Sequence, residues 1–181
     1  MSAKEFHRIL SDNGIRSLVV GGEAILASGL RTTTEDIDAL VLVDDLERAA
    51  EQLSKDPAFY FVEPPISGMI GGQVRMDGAL VDFDVLDAGL YSGNRSGADF
   101  FAYAYRTRHG IYASPQVVWY MRLVNPERQA YALKISRDMN NGAPGSWLED
   151  ARKIARRFGT LDKVDLGIGF LKEVRRFHSA H

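Results

Sequence analysis

Cysteine is absent from all 181 residues, so neither a disulfide framework, nor a thiolate metal site, nor a cysteine nucleophile can form. No apolar run approaches the roughly 20 residues that cross a bilayer. The opening Met1-Ser2-Ala3-Lys4-Glu5-Phe6 leads into a polar helical pattern and not into a signal-peptide core. A cytoplasmic location without membrane contact is the expectation. The histidines, His7, His109, His178 and His181, are scattered without ligand spacing, which argues against a histidine metal centre. No Gly-Lys-Ser/Thr follows Gly21-Gly22, and Gly21-Gly22-Glu23-Ala24-Ile25 lacks the third glycine of a dinucleotide fingerprint, so Walker and dinucleotide-binding loops are both excluded. Internal repeats and low-complexity tracts are missing as well.

An apolar fraction of 45% and a charged fraction of 25% are those of an ordinary globular chain, long enough to bury a real core. The net charge of −2 conceals a division. Residues 1–90 carry 7 Lys/Arg against 16 Asp/Glu, a balance of −9, whereas residues 91–181 carry 15 against 8, a balance of +7. An acidic half suits cations and a basic half suits phosphates or nucleic acid, so a polyanion held between them would use both. The plainer alternative is charge varying along a solvated surface.

Apolar spacing predicts a helix over 3–12, a buried strand over 17–20 and a helix over 22–28. A polar loop over 31–35 leads to a strand over 36–43 and a helix ending near Lys55. A short strand over 59–62 precedes Pro64-Pro65. Residues 71–76 and 79–86, joined across Asp77-Gly78, carry the signal of a type I′ hairpin. Residues 99–106 read as a short aromatic helix and 111–113 as a last strand. Helices are expected over 115–124, 126–140, 146–158 and 163–177. The expected division is a core over 1–113 and a helical part over 114–181 packed on it.

The candidate chemistry lies in Val19-Val20-Gly21-Gly22 and, after thirteen intervening residues, Asp36-Ile37-Asp38. Carboxylates two apart on a strand project side by side. Two of them can share a hard cation, and Mg²⁺ is usually held by one or two carboxylates plus substrate phosphates. A third carboxylate on a neighbouring strand would admit a second ion, and the hairpin offers Asp82, the first choice, and Asp84, the reserve. Gly21 and Gly22 end a strand and open a helix, where backbone amides can approach an anion; a tight turn without a ligand is the alternative. Arg31 could grip a phosphate from the loop, with Thr33 or Thr34 donating hydroxyl bonds. Basic pairs at Arg152-Lys153, Arg156-Arg157 and Arg175-Arg176, beside Trp147, Phe158 and Phe177, suit either an RNA backbone or a solvated helix face. In phosphatases of the haloacid dehalogenase type and in metal-dependent glycosyltransferases, Asp-x-Asp closes a hydrophobic strand; here it opens one, which argues against both.

These motifs, Val20-Gly21-Gly22-Glu23-Ala24, Thr34-Glu35-Asp36-Ile37-Asp38 and Leu80-Val81-Asp82-Phe83-Asp84, resemble the nucleotidyltransferase superfamily of DNA polymerase β. The chain looks most like the prokaryotic branch around AbiEii-type toxins, over roughly residues 15–90. The resemblance implies an α/β fold with a mixed β-sheet flanked by helices and a C-terminal helical extension. It implies Mg²⁺ or Mn²⁺ as cofactor and a nucleoside triphosphate as substrate. The acceptor would be a tRNA, a protein or a small molecule, and a cognate antitoxin would be a partner. It also implies a phosphate-facing lysine on a later helix, best matched by Lys134, and a further aspartate, best matched by Asp150. Expected catalytic residues are therefore Asp36, Asp38 and Asp82, with Asp84 as an added metal ligand. The nucleotide would be bound by Gly21, Gly22, Arg31, Thr34 and Lys134. The alternative is a catalytically silent member of the fold that binds a nucleotide or a partner.

Overall fold

The computed structural model describes residues 3–30, 34, 36–107 and 110–179. In chain order its elements are α1 (Ala3–Asp12), β1 (Leu18–Val19), α2 (Gly21–Ala27), β2 (Asp36–Val41), α3 (Leu46–Lys55), β3 (Phe59–Val62), β4 (Met69–Met76) and β5 (Ala79–Asp87). They continue with β6 (Ala104–Thr107), β7 (Gly110–Ala113), α4 (Pro115–Val124), α5 (Arg128–Asn140), α6 (Ser146–Phe158) and α7 (Leu161–Ser179).

The strands form one mixed sheet in the order β3-β4-β5-β2-β1-β7-β6. β2 runs parallel to β5, and β1 parallel to β7; the other neighbours are antiparallel. Helices cover both faces, so the expected α/β architecture with a mixed sheet and a C-terminal helical part is the one found. Among the described residues no helix is long and apolar enough to cross a membrane.

Alternation along β2 and β5 sorts their side chains between two cores. Ile37, Ala39 and Val41 of β2, with Phe83 and Val85 of β5, pack against α1 and α3 through Phe6, Leu10, Ala49 and Leu53. Leu40, one step out of phase, belongs to the opposite core with α4 to α7, and Leu86 packs against it. Asp36 and Asp38 therefore share the Leu40 face, and Asp82 and Asp84 share the Leu86 face. The apolar pattern aims the carboxylates at the helical half of the molecule.

Tyr120 of α4 and Phe158 of α6 pack on Phe100 of the 97–103 turn that leads into β6. The Phe100 and Phe158 rings stack with centroids 4.7 Å apart, and Tyr120 lies 5.7 Å from Phe158. The hairpin turn is of the expected kind, with positive φ at both central residues, 48° at Asp77 and 87° at Gly78. One element differs from expectation. Residues 97–103 form a 3₁₀ turn and 104–107 a strand, where the aromatic run predicts a single short helix. Pairing with β7, Ala104 opposite Ala113 and Thr107 opposite Gly110, supplies the strand's hydrogen bonds and decides the conformation.

Candidate active site

The parallel register of β2 on β5 sets Asp36 beside Asp82 and Asp38 beside Asp84. Only one of the two hairpin aspartates reaches the cleft. Asp36, Asp38 and Asp84 line a cleft of about 250 Å³ together with Gly21, while Asp82 is exposed and accepts a 3.1 Å hydrogen bond from Gln73 Nε2. Asp84 is half-buried, opposite Gly71 of β4.

The glycine pair is explained by what presses on it. Gly21 has φ +61°, and a Cβ there would collide with the Asp38 carboxylate; a Cβ on Gly22 would collide with the Thr34 hydroxyl. The bare turn lets the aspartate strand close against α2, and Val20 N–H donates to the Asp38 carbonyl at 2.8 Å to fasten it. Gly21 lines the cleft, whereas Gly22 is buried beneath Thr34 and does not. Thr34 Oγ1 in turn donates to Asp36, 3.2 Å from Oδ1 and 3.3 Å from the carbonyl, so in this structure the hydroxyl braces a carboxylate. Arg31 and Thr33 lie outside the described residues.

Crowded acids raise one another's pKa. Burial, then the charges of Asp36 and Asp84, push Asp38 up to about 7, against smaller opposing effects of Lys134 and Arg122. Asp84 is raised by burial, Asp36, Asp82 and Glu63, and Glu23 in the first turn of α2 by burial and Asp36. Burial and mutual repulsion of this kind mark a hard-oxygen set whose charge a divalent cation would relieve. No three of the described acidic or histidine side chains stand close enough to enclose an ion unaided. Carboxylate oxygens are the donor type that Mg²⁺ takes, and a cation here would draw its remaining ligands from substrate oxygens.

The facing wall comes from α4 and α5. Val118, Met121, Arg122 and Asn125 follow helical spacing on one side, and Tyr131 and Lys134 on the other, with Glu127 and Tyr91 at the border. Lys134 is exposed, its Nζ 5.4 Å from the centre of the Tyr131 ring. The sequence pointed to Lys134 but not to Arg122, which hides in the apolar run Val117 to Val124. Arg122 is 6% exposed and donates from Nη1 to Oδ2 of the fully buried Asp138 at 2.6 Å. Tyr91 and Asn125 also line an adjoining cavity of about 380 Å³, with Leu90, Pro126, Thr160 and Lys163.

Asp150 does not reach this site; it pairs with Lys153 at 2.8 Å on α6. Nor do the basic pairs of α6 form an open cationic track. Arg152 meets Asp165 at 2.8 Å, Arg156 meets Glu149 at 3.0 Å, and Arg157 stands 3.8 Å from Asp99.

No family described by sequence matches the chain. No curated protein matches it either. Its fold is similar to several solved structures. A candidate nucleotidyltransferase from Thermotoga maritima is 16% identical, with 81% of this chain and 90% of that one covered and a TM-score of 0.46. The antibiotic-resistance factor ANT(2″)-Ia is also 16% identical, with 97% and 90% covered and a TM-score of 0.42. A candidate nucleotidyltransferase from H. pylori is 9% identical, with 97% and 96% covered and a TM-score of 0.44.

Proposed function

We propose that the protein transfers a nucleotidyl group from a nucleoside triphosphate to a hydroxyl of an acceptor. The observation that carries this reading is the meeting of Asp36, Asp38 and Asp84 beside Gly21, in one cleft with Arg122 and Lys134 opposite. Acids on one wall and cations on the other suit a magnesium-bound polyphosphate lying between them.

In this reading Asp36 and Asp38 hold Mg²⁺ or Mn²⁺, and Asp84, which lines the cleft, replaces the exposed Asp82 as third carboxylate. A divalent cation held there would supply positive charge to offset the phosphates and lower the barrier to deprotonating the acceptor hydroxyl. Thr34 keeps the Asp36 carboxylate oriented. The cationic pair receives the charge that builds on the leaving phosphates. The acceptor oxygen forms a bond to the α-phosphorus as the bond to the bridging oxygen breaks, and pyrophosphate leaves. Asp84, whose pKa burial and neighbouring acids raise, takes the acceptor's proton. The adjoining cavity, reached past Tyr91 and Asn125, gives the acceptor a place beside the nucleotide. An acceptor at the end of a tRNA would make the protein a growth-inhibiting toxin with a cognate antitoxin.

The test incubates the protein with each labelled triphosphate, Mg²⁺ and total cellular RNA, beside Asp36→Asn and Asp38→Asn. Label transfer or pyrophosphate release should fall by several orders of magnitude in both, because uncompensated phosphoryl charge remains. Equal turnover in the variants would overturn the site. Glu23 favours a second reading, a nucleotide- or partner-binding module without turnover, since it sets a carboxyl in the first turn beyond the glycine pair where phosphate would lie. Triphosphate binding without pyrophosphate release would select it.

A further inference from the structure

A guanidinium as deeply placed as Arg122 is costly to desolvate, and an ion pair so buried is often no more stable than apolar side chains of the same volume. Stability alone therefore does not account for a charge inside the apolar helix α4. Its surroundings do account for where it points. Asp138, 0% exposed, takes one hydrogen bond from Arg122 Nη1 at 2.6 Å and another from Trp119 Nε1 at 3.0 Å. Trp119 packs edge-on against Trp147 of α6, their ring centroids 5.2 Å apart. Three helices thus hold Asp138 in place, and Asp138 holds Arg122 in the wall of the cleft facing the aspartates.

We infer that Arg122 is the fixed phosphate anchor of this cleft and that Asp138 and Trp119 are its positioning residues, an assignment that rests on the nucleotidyl-transfer reading. The ligand class is the polyphosphate of a nucleoside triphosphate. A planar fork matches phosphate oxygens in a way an ammonium does not, and one fixed beforehand loses little freedom on binding. Lys134, exposed on the next helix, adds charge without that fixed geometry. The carboxylates hold the cation end of the substrate, and Arg122 holds phosphate oxygens.

The test is calorimetric titration of Mg²⁺ with each of the common ribonucleoside triphosphates, and with the matching monophosphates, into the wild type, R122K and the charge-neutral double variant R122Q/D138N. Thermal melts of all three run in parallel. Triphosphate affinity should fall about 10- to 100-fold in the double variant and less in R122K, while monophosphate affinity changes little. Asp138→Asn, which keeps an acceptor for Trp119, should weaken triphosphate affinity without a matching change in monophosphate affinity, a selectivity that mere loosening of the fold would not produce. Should the double variant fail to fold, R122K decides, because it leaves Asp138 paired and removes only the fork. Undiminished triphosphate affinity in folded R122K and R122Q/D138N would overturn the anchor and leave nucleotidyl transfer standing. A wild type that binds no nucleotide would overturn both.

Discussion

The carboxylate of Asp38 occupies the space in which a side chain on Gly21 would stand. The glycine is thus explained by a neighbour within the protein, before any ligand is considered. Gly21→Ala would strain a backbone at φ +61° by about 1 kcal/mol or more and drive Asp38 out of place. The expected result is a lowered melting temperature together with weaker binding of Mn²⁺-loaded triphosphate by calorimetry. A variant that melts and binds Mn²⁺-loaded triphosphate like the wild type would show that the close approach has no consequence.

Asp82 and Asp84 point to the same face of β5 but differ in surroundings. Asp84→Asn should lower turnover by about 100-fold or more, as loss of a group acting on the reacting phosphate does. Asp82→Asn, on an exposed residue bonded to Gln73, should leave turnover close to wild type. Steady-state kinetics on both variants settles the order, and a larger loss at Asp82 would reverse it.

Much of this was legible in the sequence, and the missing parts share a cause. The period-2 alternation of β2 and β5 and the Asp77-Gly78 turn are local signals, so the strands, the hairpin and the common face of the aspartates could be read directly. Alternation cannot rank Asp82 against Asp84, because both satisfy it equally. The strand β6 was missed because its conformation depends on pairing with β7, a contact made elsewhere in the chain. Arg122 was missed for the same reason: its partner Asp138 lies 16 residues away on another helix, and its own stretch reads as apolar core. A charge interrupting an otherwise apolar helix was the signal available, since arginine is seldom buried without a partner.

The raised pKa of Asp38 predicts a pH-dependent response to divalent cations. The folded protein keeps the proton on Asp38 up to about pH 7, whereas the unfolded chain releases it near its ordinary value of 3.8. Stability from this group is therefore fully present below about pH 4, is lost as pH rises through about 7, and stays lost above it. A cation bound by the ionised carboxylates opposes that loss and displaces the proton. Mg²⁺ should raise the melting temperature clearly at about pH 8 and little at about pH 5.5. An equal rise at both would exclude Asp38 as the titrating ligand.

The helical part supplies Arg122 and Lys134, while the sheet supplies the aspartates, so the cleft exists only while the two are docked. That docking runs through the Phe100, Phe158 and Tyr120 cluster, where Phe158 is fully buried between two partner rings. Nearby, Tyr120 OH donates to the Tyr91 carbonyl at 2.6 Å, tying α4 to a residue that lines the cleft. Phe158→Ala should destabilise the protein by about 3–5 kcal/mol, through lost burial and the cavity left behind. Because the helical part and one face of the sheet share a core, far-ultraviolet and tryptophan-fluorescence melts should shift together. A variant in which the tryptophans of the helical part lose their packing while the sheet signal persists would show that the two parts unfold separately, and that the cleft opens before the fold is lost.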